Sequence, residues 1–571
     1  MNVFDKLLKQ KFWWLWLALL FIGITYVVSL VHYRFDLTKE KRYSISASTK
    51  KLLTNLDGKV DIEVFLTGDL SAGFKKLSIA SEELLNEFKE YGKTNIQFRF
   101  IRPGAGLPDS LRYQVYDSLA QLGIKPFNNQ VTSKQGEETT ERWIFPAAIV
   151  RYNDSMQIPV DLMSGKSGQD EETSLNHSEA LLEFKFADAI DKLSRKQVPV
   201  VAYAAGNGEP LNPTVRDLFE TMRTNYRFGV IDLNTGRLDP DTINALMIVK
   251  PSTAFTESEK LKIDQYVMQG GKVLWFVDKL YAEMDSLLRA QADFIAFDKN
   301  LEVDDLLFKY GVRINSDLLQ DLKCAKQPLV VGQAGGQPQI QRIPFPYYPL
   351  VSSTSLHPVS KNLDDVLTIF PSSIDTVKSP GIKKTILLAS DTNSRALSSP
   401  AMVSLQSVKT EDDLRTFTKS YVPVAVLLEG KFSSLYANRF TDVMKDSLAL
   451  FSNKPFTATG LKESKQIVVS DGDIVTNVIT QSQGPLPMGM QQYENYQFAN
   501  KDFLLNALDY LVNTSGILET RGKDITLRLL DKQKILEQRS MWQMINIGVP
   551  ILLVFLFGWL YQVKRKKSYG S

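Results

Sequence analysis

The chain has 571 residues, 44% of them hydrophobic and 23% charged, with a formal net charge of +3. That length predicts roughly two to four domains, the composition is that of folded globular protein, and so small a charge excludes the concentrated basic face that nucleic-acid binding requires. A single cysteine, Cys324, excludes intramolecular disulfides, and with only His32, His177 and His357 beside it no Cys/His set has zinc spacing.

The two ends stand apart from the body. Residues 12–31, FWWLWLALLFIGITYVVSLV, carry no charge and reach about the 20 apolar residues a helix needs to cross a bilayer. Lys6, Lys9 and Lys11 precede them, as in a signal sequence. The run is long for a cleaved signal and no A-x-A-like site follows, so an uncleaved anchor is the reading taken. Residues 545–563, INIGVPILLVFLFGWLYQV, form a second such run, followed at once by Lys564, Arg565, Lys566 and Lys567. A basic cluster abutting a span stays in the cytoplasm. With two spans both termini are then cytoplasmic and the bulk of the chain is external. Arg34, Lys39, Lys41 and Arg42 argue the other way, but they are less dense and less close to their span.

Between the ends, strand and helix patterns alternate. Residues 60–67 read as a strand with alternating apolar side chains. Residues 71–91 are an amphipathic helix with Phe74, Leu77, Leu84, Leu85 and Phe88 near one face. A strand over 95–101, a helix over 109–122 and strands over 143–152 and 156–162 follow. The polar stretch 165–173 is a loop, and a helix from about 174 to 195 closes the unit. This order resembles a thioredoxin-like fold. A redox member carries C-x-x-C where the first strand meets its helix; here that stretch is Thr67-Gly68-Asp69-Leu70, so the chemistry is excluded. His177, with no second ligand nearby in sequence, reads as an ordinary helix-end histidine.

A second α/β unit starts at residue 196. Residues 198–204 and 245–249 are continuous apolar runs, as buried parallel strands require. Helices are expected over 213–225 and 256–269, the latter opened by Thr256 and Glu259 as a capping box. Strands are expected at 228–233, 272–277, 385–389, 422–428 and 466–469, and a helix at 501–512. Strand–helix alternation predicts a parallel sheet with right-handed crossovers, here with an insertion. The Gly-, Gln- and Pro-rich stretch 332–348 belongs to that insertion or to a loop. Residues 525–543 read as a helix running almost directly into the final span.

The chemistry is sparse. No P-loop occurs, since Gly270-Gly271-Lys272 lacks the spacing and precedes a strand; no G-x-S-x-G elbow and no H-E-x-x-H occur either. Catalytic, metal-binding and cofactor-binding residues are therefore expected to be none. The sharpest local signal is Gly206-Asn207-Gly208-Glu209 after the first buried strand. Asn207, Glu209 and Asp278 are candidates for lining a crevice at the carboxyl ends of the strands, where ligands sit in open α/β sheets. The plainer reading, a tight glycine turn with Glu209 as a solvated charge at a helix start, is preferred.

The arrangement as a whole resembles a known family. An anchor is followed by Arg42-Tyr43-Ser44-Ile45-Ser46, then by Gly271-Lys272-Val273-Leu274-Trp275-Phe276-Val277-Asp278, Asn500-Lys501-Asp502-Phe503-Leu504-Leu505-Asn506 and a basic-tailed final span. This is similar to the GldG family, auxiliary (substrate-binding-like) subunits of ABC-type transporters associated with bacterial gliding motility. The resemblance implies an amidotransferase-like second unit without catalytic machinery, and two partners: a multi-span permease-like subunit and a cytoplasmic ATPase. The organisation then reads as 1–35 cytoplasmic end and first span, 36–195 thioredoxin-like, 196–514 amidotransferase-like, 515–544 stalk helix, 545–563 second span and 564–571 basic tail. The implied place is the bacterial inner membrane with a periplasmic body. Two functions follow as expectations: a coupling subunit assembled with the transporter, or a tethered receptor for a solute.

Overall fold

A computed structural model describes Leu19, Phe21, Ile22, Gly23, Thr25, residues 44–522 and residues 532–569. Within 44–522 it leaves out 125, 133–138, 155, 165–170, 291–292, 335–336, 406, 409, 440, 452–453, 492, 494–495 and 514. The expected first span, residues 12–31, lies mostly outside the described residues, as do most of the 165–173 loop and residues 525–531 of the expected stalk. The chain divides into two compact units, Met1–Lys523 and Asp524–Ser571.

Two large sheets organise the first unit, beside several two-stranded ones. The smaller is built from helix α1 (Ala47–Thr54), β1 (Val60–Val64), α2 (Ala72–Gly92), β2 (Ile96–Phe100), α3 (Asp109–Gln121), β3 (Phe127–Thr132), β4 (Thr139–Ile144), β5 (Ala147–Tyr152), β6 (Met156–Asp161) and α4 (Glu171–Ser194). Its four strands lie in the order β2-β1-β5-β6. β1 and β2 are parallel, and β5 and β6 are antiparallel to their neighbours. Alternation sorts the side chains between two faces. Ala148 and Val150 of β5 join Phe74, Leu77, Leu85 and Phe88 of α2 and Phe186 and Ile190 of α4. Ala147 and Ile149 face the other way, towards Leu119 of α3.

The single strand expected over 143–152 is two strands. β3 and β4 form a separate hairpin, while β5 enters the sheet. Pro146 stands between them and has no N–H to give a ladder.

The larger sheet is built from β7 (Val200–Ala205), α5 (Arg216–Asn225), β8 (Arg227–Asp232), β9 (Ala245–Val249), α6 (Glu257–Met268), β10 (Val273–Phe276), α7 (Asp304–Tyr310), β11 (Cys324–Ala334), β12 (Gln337–Ser353), β13 (Ile382–Ala389), β14 (Pro423–Gly430), β15 (Ser464–Val469) and α8 (Asn500–Val512). The strand order is β11-β12-β13-β14-β15-β10-β9-β7-β8. The strands from β15 to β8 are parallel, as expected. The strands from β11 to β14 are antiparallel, which corrects the reading of the sheet as parallel throughout. A parallel pair needs a crossover of a dozen or more residues, usually helical, whereas β11 and β12 pair as a hairpin with Ala334 opposite Gln337.

The stretch 332–348, read as loop or insertion, lies largely in the β11–β12 hairpin. Its prolines are compatible with pairing at the margin of a sheet, where a missing N–H can face away from the ladder. The stalk reading is also corrected. Ile517–Gly522 is a 3-10 turn with Ile517 and Leu518 buried in the body, and the described part of the final helix runs from Lys532 to Tyr569.

One buried acid holds α6 in place. Asp264 is fully buried and accepts hydrogen bonds from Tyr310 Oη (3.0 Å), Ser434 Oγ (2.6 Å), the Leu435 N–H (3.0 Å) and Gln265 Nε2 (3.0 Å). Replacing it strands several donors, each costing about 1–3 kcal/mol. Asp264→Ala is expected to destabilise the protein by at least ~3 kcal/mol. The check is thermal unfolding of the full chain in mild detergent, with exposed Asp412→Ala as the control that changes nothing.

Candidate functional site at the carboxyl edge of the larger sheet

Successive strands β7, β8, β9 and β10 place β8 on one side of β7 and β9 on the other. The chain therefore reverses its progress across the sheet between β7 and β9, and their outgoing loops diverge there, the position where doubly wound sheets bind ligands. The Gly206–Glu209 turn leaves β7 at this point. Gly206 and Gly208 take φ values of +120° and +78°, which glycine adopts without steric cost. A Cβ on Gly208 would stand 2.1 Å from Ser252 Oγ.

Asn207 ties the turn to the loop after β9 and to the start of α6. Its carbonyl accepts the N–H groups of Ser252 (2.9 Å) and Thr253 (3.0 Å) from the loop after β9. Its Nδ2 donates to Glu259 Oε2 (3.1 Å) and to the Ala254 carbonyl (3.4 Å). Glu259 is the acid of the expected capping box, accepting from the Thr256 N–H at 2.7 Å. Glu209 Oε2 accepts the Asn207 N–H at 2.8 Å. Two acceptors are left over: among the described residues, Asn207 Oδ1 and Glu209 Oε1 have no hydrogen-bond donor, although the residues are only 2% and 6% exposed. Glu209 is thus buried, not the solvated charge that the plainer reading supposed. Burial pushes its carboxyl up to about 7; the backbone N–H groups of Glu209 and Asn207 oppose the shift, and Glu259 and Asp232 add to it.

Asp278 belongs to a neighbouring cluster. It follows β10, accepts the Gly472 N–H, and faces Lys299 at 3.4 Å and Lys250 at 3.5 Å. Lys250, just after β9, donates to both oxygens of Asp473 (2.6 and 2.7 Å) and pairs with Glu283 at 3.1 Å. It takes a φ of +50°, a sparsely populated conformation for a side-chain-bearing residue. Gly472 allows the close approach, since a Cβ there would lie 2.7 Å from Lys250 Cβ. Asp471 accepts the N–H groups of Ile369 and Asp473, each at 2.7 Å.

The electrostatics divide these acids. Burial holds the Asp471 carboxyl well above its ordinary value, and Asp473 and Asp278 push it further. Burial also opposes ionisation of Asp278, but Lys250 and then Lys299 outweigh it and keep that carboxyl low. Burial opposes the charged form of Lys250, and Asp473, Asp278 and Glu283 overcome it.

Asp278, Asp471 and Asp473 bring ligand oxygens within 4.8 Å of one another, a donor set that suits a hard cation. Lys250 and Lys299 already supply positive charge to the cluster, so the arrangement reads as a neutralised ionic clamp across the ends of β9, β10 and β15. The structure therefore brings Asn207 and Glu209 together, while the polar contacts of Asp278 go to the clamp. Lys250, Asp471 and Asp473 were missed from sequence; the signal was Ser470-Asp471-Gly472-Asp473 directly after a buried run.

Cys324 makes a 3.6 Å contact to the Leu322 carbonyl, and burial, with Asp321 adding to it, pushes its thiol up to about 12. A thiol so raised is a poor nucleophile.

The Glu209 carboxyl rises on folding from an ordinary 4.5 to about 7. An acid raised in the fold contributes stability at low pH and loses it as pH rises through the folded value. Glu209→Gln is therefore expected to match the parent protein near pH 4 and to exceed it above pH 8, by up to about 3 kcal/mol. Thermal unfolding at the two pH values checks the sign.

Comparison with known proteins places the larger sheet in a family. Residues 198–507 match the model described as an ABC-type uncharacterized transport system, and residues 39–151 match a domain of unknown function, DUF7088. An uncharacterized protein of Borreliella burgdorferi is 22% identical over 445 residues, covering 75% of this chain and 79% of that protein. Among solved structures, the N-terminal domain of mmIFT52 is 11% identical, with a TM-score of 0.30, over 55% of this chain and 97% of that one. A putative ThuA-like protein from Parabacteroides merdae is 8% identical, with a TM-score of 0.26, over 55% of this chain and 90% of its own. Since the first family model spans more than half of the sequence, the chain belongs to the auxiliary proteins of ABC-type transport systems.

Proposed function

We propose that this chain is a GldG-like subunit that couples an ABC transporter to gliding motility, and to an associated secretion system, through a rigid external body. Its partners are a multi-span permease-like subunit and a cytoplasmic ATPase, since the chain carries no P-loop of its own. Both ends span the bacterial inner membrane, the body is periplasmic and both termini are cytoplasmic. The last point rests on Lys564, Arg565, Lys566 and Lys567 beside the final span.

The observation that carries this reading is α9 (Lys532–Tyr569), 38 residues of continuous helix. At 1.5 Å per residue it is about 57 Å long. Its segment Gln538–Lys566 is long and apolar enough to cross a membrane, and none of it is buried. The helix thus extends beyond the apolar core of the span by about 13 residues, or roughly 20 Å. A helix of that kind transmits displacement or rotation where a flexible linker would absorb it.

Non-catalytic action is supported by the two sheets. The strand order of the smaller sheet, with its parallel and antiparallel pairs, is read as thioredoxin-like, without the C-x-x-C that redox members use. The larger sheet is read as amidotransferase-like. In it the strained residue at a strand end, where a nucleophile elbow would present its side chain, is Lys250, held as an ammonium by acids. A second reading, a tethered solute receptor, is favoured by one observation: the two unpartnered acceptors on Asn207 and Glu209.

Insertion of a flexible Gly/Ser segment after Lys532 is expected to leave the permease and ATPase copurifying with the chain in mild detergent while motility is impaired. Unchanged motility would reduce the helix to a tether and remove the coupling reading. Topology is checked by fusions: a periplasm-only reporter is expected to be active near residue 168 and silent at Ser571, and activity at Ser571 would reverse the orientation.

A further inference from the structure

The Gly206–Glu209 turn alternates exposed glycine with buried acceptor. Gly206 and Gly208 are exposed, while Asn207 and Glu209 are buried beside them. The unpartnered oxygens are therefore close to the surface without being solvated. Leaving such acceptors unpaired costs about 1–3 kcal/mol each, a cost that a bound donor would remove.

The charges around Glu209 define the donor. Glu259 and Asp232 both act on Glu209, and Tyr203, which feels the Glu209 charge, donates its hydroxyl to the Pro210 carbonyl at 2.7 Å. Lys262, near Glu259 and Asp232, donates to the carbonyls of Leu233 (2.6 Å) and Asn234 (2.8 Å). Among the described residues Glu209 has no ion pair. Its neighbours are acids, and the groups that favour its charged form are neutral backbone amides.

A metal ion fits poorly. Hard cations take six or more oxygen ligands, and the nearby carboxylates are engaged: Glu259 Oε2 by Thr256 and Asn207, and Asp232 Oδ1 by the Asn234 N–H. Two free acceptors suit instead a group with directional N–H bonds and a positive charge. We propose that this turn binds the primary ammonium group of a small amine, with Asn207 Oδ1 and Glu209 Oε1 as its acceptors. The proposal builds on the receptor reading and is independent of the coupling role of α9.

The ligand binds the ionised form of Glu209. Affinity therefore rises with pH up to about 7, where the carboxyl is ionised, and falls by up to tenfold for each unit below it. A neutral hydroxyl donor, such as a polyol, would not show that dependence.

The test is isothermal titration of the full-length protein in mild detergent with methylammonium and with putrescine, at pH 8 and pH 5.5. Glycerol and calcium serve as the competing chemistries. Expected are amine binding at pH 8, at least tenfold weaker binding at pH 5.5, and a loss of tenfold or more in Glu209→Gln, whose fold is verified by its thermal transition. Asp412→Asn, an exposed surface change, is expected to bind as the parent does. Absence of binding by either amine at pH 8 would overturn the proposal. So would binding that Glu209→Gln leaves unchanged, and so would a response to glycerol or calcium alone. Motility after linker insertion at Lys532 reads the coupling role separately, so the two fail by different results.

Discussion

The central strands of the larger sheet bury both faces, and most of its organisation follows from that constraint. In β9, Ala245, Met247 and Val249 enter the core beneath α5 and α8, while Leu246 and Ile248 enter the core beneath α6. In β10, Leu274 and Phe276 go one way, and Val273 and Trp275 the other. A strand apolar on both sides has little room for charge along its length, so polar residues are displaced to its ends. At the carboxyl edge the strands deliver Asn207, Lys250, Asp278 and the Asp471–Asp473 segment into a small volume. Inside the sheet core the indole of Trp275 donates from Nε1 to Gln466 Oε1 at 3.0 Å, which satisfies a donor that burial would otherwise strand.

The two sheets meet along a charged seam that depends on α4. Lys192 pairs with Asp188 at 2.8 Å and Asp509 at 3.4 Å. Arg195 pairs with Asp191 at 2.7 Å, and Asn513 Nδ2 donates to Asp191 at 3.0 Å. Tyr226 at the end of α5 donates to Asp509 at 3.0 Å. Burial opposes the charge on Lys192, yet Asp188 and Asp509 hold its ammonium well above the usual lysine range. Ion pairs this buried add little net stability compared with apolar packing, but removing one member leaves an uncompensated charge. The seam therefore fixes the angle between the sheets more than it strengthens either. That is the property a body needs if it is to move as one piece.

Much of this was legible from local pattern. Residues 245–249 were read as a strand and are one to the residue, and the Thr256–Glu259 capping box was read from four letters. Both are short-range signals, set by periodicity and by side chains within one turn. The errors share a different origin. Pro146 splits a run that looks continuous in hydrophobicity. The β11–β12 hairpin hides behind Gly, Gln and Pro, which break the apolar alternation over 332–344 although Phe345, Tyr347 and Tyr348 just beyond them enter a core. The ionic clamp joins Asp278 to Gly472 across 194 residues, and no local pattern records a contact that long. Asn207 and Glu209 were visible as a glycine-flanked pair, but their burial was not, since a polar residue after a strand reads as surface.

The two neighbouring clusters at the carboxyl edge have opposite electrostatic characters, and that contrast separates holding from responding. In the clamp, acids and lysines are matched: Lys250 and Lys299 suppress the Asp278 carboxyl, while burial and the neighbouring acids raise those of Asp471 and Glu283. Such a set has little left to offer a ligand, and a change of one charge within it is resisted by several partners. The Asn207–Glu209 turn is unmatched. It has acids around it, no ion pair on Glu209 and two acceptors without donors. A matched cluster resists perturbation and therefore fixes β9, β10 and β15 relative to one another. An unmatched one next to it changes state with the addition of a single proton or a single cation. Because Asn207 ties the turn to the cap of α6 and to the loop after β9, any such change is delivered directly to the elements that the clamp holds still.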